Sequence, residues 1–409
     1  MNNDNINKKY TALAYEVEQE SNCYPILFEF KSWLFVVSGY LFLYAMDFGV
    51  GFGMCVIFSG WTLFSSNHLT SNDILEFYGY AAIVIAVFSV LELSRLAGMA
   101  APKGYRLKPF DYPQLFASLL KIDKQSGTVK IDKVLLTHGH KIEVFQMPRF
   151  FGIRRNSTIL SIGFELFLIM SPLEMNALLV QISRSLSDRR NTYLRMGNMV
   201  IRLLNVLSLW FNKSRFLQKP AIRIDQYAAV VTIYTAVVSR AITIAADKAA
   251  AKESGVSCLV EALLKQSLLT RYLNQHFWLP IEELINVLPE PVVSPYRQLT
   301  NWLPQQPVTH KDLSVVMGQL YAETPIPWDN QPGLKERLAA LDAESLVTLN
   351  FHHSAAEGLF GRRYDKVMAD MDLDWWYKFE PIWRKYYLEH QAQQAAQTSE
   401  AGVAASQQS

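Results

Sequence analysis

From Trp33 to Phe64 the chain reads WLFVVSGYLFLYAMDFGVGFGMCVIFSGWTLF, and Asp47 is the one charge in it. Such a run constrains everything around it. About 20 apolar residues suffice to cross a bilayer, so this segment can span once with length to spare. A weaker alternative is two very short passes broken at Asp47. A second run, Phe77 to Leu93, is FYGYAAIVIAVFSVLEL and lies near the lower limit for a span. The two are separated by a short polar link, and together they predict a transmembrane hairpin over 33–93. The link carries no Lys or Arg, whereas Lys8, Lys9 and Lys31 precede the hairpin and Arg95, Lys103, Arg106 and Lys108 follow it. The positive-inside rule then predicts both termini and the main domain on the cytoplasmic side of the cytoplasmic (inner) membrane. Asp47 is expected either to face another helix or to sit at the interface of a tilted span.

Composition agrees with an anchor plus a water-exposed domain. Half of the 409 residues are hydrophobic and the net charge is only +2, so no global attraction to nucleic acid follows. The three cysteines, Cys23, Cys55 and Cys258, are far apart and form no CxxC. That excludes a disulfide framework and a cysteine-rich zinc site. Residues 1–32 are polar and show no short apolar core beside a small-residue cleavage site, so a cleavable signal peptide is not expected.

After Pro102 the pattern changes. GTVKIDKVLLTHGHKIEVFQM alternates and is rich in Val, Ile and Leu, which predicts strands on both sides of His138-Gly139-His140. STILSIGFELFLIM predicts a further strand running to Ser171. Ser171, Pro172 and Glu174 have the spacing of a capping box with proline in the first turn, so a helix starts there. Leu178, Leu179, Ile182 and Leu186 then recur on one face. Further helices are predicted at about 192–211, 224–251, 257–277, 334–341 and 375–390. Prolines crowd Leu288 to Pro332 and predict loops. Residues 391–409, low in complexity and almost uncharged, are expected to be a disordered tail.

An ordered set of segments resembles a known family. KVLLTHGHKIEVFQMPRF, SIGFELFLIMSPLEMNALLVQISRSLS, SRAITIAADKAAA, NQPGLKERLAAL and SAAEGLFG follow one another as do the landmarks of the membrane-bound zinc metallopeptidases of the HtpX and CAAX-prenyl-protease type. The resemblance implies an α+β, mainly helical fold: a zincin-like metallopeptidase domain over 104–390 on an N-terminal transmembrane hairpin. In that family HExxH on a helix supplies two histidines at i and i+4 that grip zinc, with the glutamate between them as general base. A glutamate on a later helix, four residues before an aspartate, completes the ligands. Laid on this chain, the first histidine falls on Gln181, the base on Ile182, the second histidine on Ser185 and the later glutamate on Thr243; the aspartate matches Asp247. The resemblance therefore implies the fold without its chemistry, a catalytically inactive homologue with no cofactor that serves as a protein-binding scaffold or regulator.

Alternatives remain open. His138 and His140, two apart beside the expected substrate-pairing strand, could form a displaced zinc site in an active metalloendopeptidase. His352-His353 are weaker candidates, and His276, which precedes an aromatic pair, is expected to be structural. A new serine chemistry at Ser183 or Ser185 lacks a base, since Arg184 is a poor one. Asp247 is expected to pair with Arg184 or Arg240. A basic stretch, Arg184, Arg189, Arg190, Arg195 and Arg202 and on to Arg223, is opposed only by Asp188. It predicts a solvated face, contact with anionic membrane lipid, or an acidic protein partner. Nucleic acid is not expected, because no aromatic interleaving accompanies the charge.

Overall fold

The computed structural model describes residues 3–65, 102–126, 131–149, 154–291, 293–305, 328–343 and 354–406, with a few isolated positions between. The second predicted span (77–93) and His352-His353 lie outside the described residues, as does the side chain of Asp47.

The chain is mainly helical with one small mixed sheet. Helix α1 (Asn3–Cys23) is followed by α2 (Pro25–Ser65), which runs unbroken through the first apolar stretch. At 1.5 Å per residue it is about 60 Å long. Its Pro25–Met46 part is long and apolar enough to cross a membrane by length and composition. So is Arg215–Ser254, which the sequence assigned to the domain. That segment contains the whole of α7 (Gln218–Ser254), which pairs with α6 (Asn191–Asn212) as a long hairpin.

Helices α1, α2, α6 and α7 share one apolar core, with Val36, Val200, Leu204 and Val231 fully shielded. Tight crossings require small residues: a Cβ on Gly197 would come within 2.5 Å of Thr235 on α7 and 3.6 Å of Val36 on α2. Trp33 meets Tyr193 edge-on at 5.5 Å, and buried Arg240 of α7 faces Glu18 of α1 at 3.4 Å.

The sheet has strands β1 (Tyr105–Leu107), β2 (Lys133–Thr137), β3 (Ile142–Arg149) and β4 (Arg154–Gly163), in the order β1-β2-β4-β3. The strands flanking His138-Gly139-His140 are therefore as predicted. β2 and β4 are parallel, with Thr137 opposite Gly163; β1 and β3 are antiparallel edges. Helix α3 (Pro113–Ser126) lies between β1 and β2 in the chain.

One predicted strand is corrected. Phe164–Ile169 is a helix, α4, and not the end of β4. All six of its residues are buried, and a continuous apolar run does not distinguish a strand from a fully buried helix. The next helix, α5 (Pro172–Ser187), starts as its sequence dictates. The Ser171 hydroxyl accepts from the Glu174 N–H at 3.3 Å, and the Glu174 carboxylate accepts from the Ser171 N–H at 2.8 Å. Glu174 also holds Lys265 of α8 (Val256–Leu273) at 2.6 and 2.9 Å, both side chains nearly inaccessible. The remaining helices are α9 (Leu279–Glu283), α10 (Pro295–Trp302), α11 (Leu334–Ala340), α12 (Ala355–Phe360) and α13 (Tyr364–Ser406). Helix α13 continues through much of the segment expected to be disordered; its Ala and Gln residues are strong helix formers.

The partner predicted for Asp247 is also corrected. Asp247, completely buried on α7, receives two 2.7 Å bonds from the Arg337 guanidinium of α11. Arg184 instead pairs with Glu253. Neither arrangement is visible from helix spacing, because α11 reaches α7 only through the tertiary fold. Removing one member of a buried pair strands the other charge at a cost of about 3–5 kcal/mol. Arg337→Ala should lower unfolding stability by that amount. Asp247→Leu combined with Arg337→Leu should recover most of it in denaturant unfolding followed by tryptophan fluorescence.

Candidate functional site

The register of β2 and β4 builds the site. These strands are parallel and end together at Thr137 and Gly163, so the residues that follow each strand emerge side by side. After β2 comes the turn His138-Gly139-His140, with Gly139 at φ +97°, a conformation that favours glycine. The turn lies directly on Gly163, where a Cβ would stand 2.1 Å from the Gly139 carbonyl oxygen. After β4, two residues on, comes Glu165 in α4.

His138 is held from two sides. Its Nδ1 is 2.6 Å from the Tyr296 hydroxyl of α10, and its Nε2 is 2.8 Å from Asp374 of α13. An ionised carboxylate only accepts, so Nε2–H donates to Asp374 and Nδ1 accepts from Tyr296. Burial, with the nearby Lys378, pushes the His138 pKa down, which keeps this neutral tautomer. Burial raises Asp374, but the hydrogen bonds from Lys378 and His138 outweigh it and the net shift is downward. Lys378 reaches the same carboxylate at 2.7 Å. Burial, then Lys141, also lowers the pKa of His140. Tyr296 is inaccessible, its hydroxyl pKa raised by burial, and its backbone N–H donates to Asp372 at 2.8 Å.

These groups open onto a cavity of about 880 Å³, lined by the turn, Glu165, the segment Asn274–Asn286, Tyr296 and one face of α13. Its wall is aromatic. Trp278 lies 6.0 Å from Tyr296 and 6.4 Å from Trp375, and Trp375 stacks on Phe379 at 5.0 Å. Trp278 sits at the end of a π-helical turn, Asn274–Trp278, an irregularity that recurs at functional sites. Its indole N–H is the hydrogen-bond partner of Glu165. Glu165 is 4% exposed, and desolvation raises its pKa to about 7.

Sequence reasoning found His138 and His140 but missed Glu165, Trp278, Tyr296 and Asp374. The π-helical turn and the contacts between distant segments leave no local signature. The residues matched by resemblance to the zinc ligands and base, Gln181, Ile182 and Ser185 on α5 and Thr243 on α7, are half-buried, and none of them lines this cavity. The Thr243 hydroxyl donates to the Ser239 carbonyl one turn back at 3.0 Å. Among the described residues no group of three or more His, Cys, Asp or Glu is placed to hold a metal ion. His138 could ligate only by giving up Tyr296 or Asp374. His276 is exposed and packs on Tyr272 at 4.5 Å. Of the basic stretch, Arg184 and Arg190 are ion-paired with Glu253 and Asp188, while Arg189, Arg195 and Arg202 are exposed. Comparison with family models, with curated proteins and with solved structures returns no match.

The raised Glu165 pKa makes stability depend on pH. A carboxyl favoured in its protonated form by folding gives its full contribution below about pH 4.5. That contribution fades as pH rises through about 7. The loss approaches about 3 kcal/mol. Glu165→Gln keeps the acceptor for Trp278 and cannot ionise. Thermal melts should therefore show the variant gaining on the wild type between pH 5 and pH 8.

Proposed function

We propose that this chain is a membrane-anchored relative of the HtpX and CAAX-prenyl-protease type of metallopeptidase that performs no proteolysis and serves as a scaffold or regulator for a protein partner. The reading is supported most by the donor set between α5 and α7. The positions that resemble the zinc ligands carry an amide and two hydroxyls, Gln181, Ser185 and Thr243, and the position of the base carries Ile182. Neutral amide and hydroxyl oxygens are poor zinc ligands, and isoleucine accepts no proton. The aspartate that follows, Asp247, has both oxygens taken by Arg337. One ion pair, Arg184 with Glu253, bridges α5 and α7, and it lies outside the matched ligand positions.

Two helical stretches of spanning length and apolarity support membrane attachment. The flanking charges support a cytoplasmic domain at the inner membrane with both termini on that side. The α6–α7 connection supports lipid contact. Leu209, Trp210 and Phe216 are exposed there beside exposed Lys213, Arg215 and Lys219, and Arg195 and Arg202 are exposed on α6. Apolar groups flanked by cations suit an anionic interface. An active zinc peptidase built on His138 and His140 is the second reading, favoured by their position at a cavity that also holds Glu165.

Protein purified in detergent without chelator should contain well under one zinc per chain by mass spectrometry and should leave unfolded casein uncut. Stoichiometric zinc that disappears in His138→Ala/His140→Ala would replace the first reading with the second. For the basic face, Arg195→Glu/Arg202→Glu should weaken photo-crosslinking to anionic lipid in nanodiscs by about thirtyfold or more, at about 1 kcal/mol for each cation lost, with zwitterionic lipid unaffected.

A further inference from the structure

The cavity beside His138 is unexplained by a scaffold role, and its chemistry is specific. It is large enough for a small ligand, since such sites typically enclose about 300–1,000 Å³. Its lining includes three carboxyl groups, Glu165, Glu282 and Glu389, and, among the described residues, no Lys or Arg. Lys378, just outside, is occupied by Asp374, and Lys141 is exposed beside the turn. The wall presents the rings of Trp278, Tyr296, Trp375 and Trp383. Aromatic faces carry negative charge and attract cations, most strongly where water is excluded. Among the described residues, an anion would meet three carboxyl groups and no Lys or Arg, only the imidazoles of His138, His140 and His390. A neutral apolar ligand would leave the buried Glu165 without further compensation.

We propose that this cavity binds a small organic ammonium cation with an apolar body, recognised by Glu165 and the rings of Trp278, Tyr296 and Trp375. The apolar body lies along the tryptophans, and the ammonium group is directed at Glu165. The cation stabilises the ionised carboxyl that burial disfavours, so the site is completed by its ligand. The His138–Asp374 pair, fixed by Tyr296, holds the floor of the site in place. The site is separate from the α5–α7 interface, so its test is independent of the reading of Gln181, Ile182, Ser185 and Thr243.

Benzyltrimethylammonium is the probe, with benzyl alcohol and benzenesulfonate as its neutral and anionic counterparts. The full-length protein in nanodiscs is titrated by isothermal calorimetry, with tryptophan fluorescence as a second readout. The cation should bind saturably, at least about tenfold tighter than either counterpart, a margin set by one partly desolvated charge contact. Glu165→Gln, with its melting temperature checked, should weaken the cation about tenfold or more and leave benzyl alcohol unchanged. If that variant does not fold, Glu282→Gln/Glu389→Gln at the mouth should still weaken the cation severalfold. Absence of saturable binding to folded wild type, equal affinity for all three probes, or cation binding indifferent to these substitutions would overturn the proposal.

Discussion

Three aspartates on α13 hold the site-bearing half of the molecule together. Asp370 accepts from the Tyr105 hydroxyl of β1 at 3.0 Å, Asp372 from the Tyr296 N–H of α10, and Asp374 from His138 after β2. Positions four apart share one face of a helix, and the position between them points away. Asp370 and Asp374 therefore reach the sheet, while Asp372 reaches to α10. The helix is wedged between two elements and bonded to both. Asp372 bonds N–H groups in the first turn of α10, including that of Arg297. It does the work of an N-cap, since Ser294 makes no side-chain cap bond there.

This wedge explains how the site tolerates its polar groups. A buried polar side chain is costly unless hydrogen-bonded. His138 has both ring nitrogens engaged, Tyr296 has its hydroxyl and its N–H engaged, and Trp383 donates to the Leu288 carbonyl at 2.8 Å. Glu165 differs. One indole N–H is weak compensation for a full negative charge, so the group shifts toward its neutral form. The cavity is thus rigid in its hydrogen bonding around His138 and Tyr296 and poorly compensated at Glu165. That combination is common at sites that wait for a ligand.

Much of the frame was legible in the residues. The capping box at Ser171 and Glu174, the strands around His138-Gly139-His140, and the helices now bounded as α6, α7 and α11 follow from local rules. Local rules failed where burial is complete. Phe164–Ile169 is apolar but for Glu165 and carries no period, so its sequence does not distinguish a buried helix from a strand. They failed again where contacts are long-range. Asp247 and Arg337 are 90 residues apart, and His138 and Asp374 are 236 apart. Helical spacing suggested Arg184 or Arg240 for Asp247 because those were the cations whose position a single sequence could infer. The site was half legible for the same reason. Its histidines stood out in a turn, but Glu165 was hidden in an apolar run and Trp278 in a helix.

Helix α8 connects the two regions that matter. Near its middle, Lys265 clamps Glu174 and so fixes the start of α5, the helix that resembles a zinc helix. At its end the chain loosens into the π-helical turn that carries Trp278 to Glu165. A buried ion pair of this kind adds little net stability, because desolvation consumes most of the attraction. Its effect is positional: the Lys265 ammonium is satisfied only if α8 lies in one register against α5. That register sets where the π-helical turn falls, and hence where the indole meets the carboxyl. The geometry around Gln181, Ile182 and Ser185 thus has a physical role unconnected with metal, since α5 supports the helix that leads into the aromatic wall.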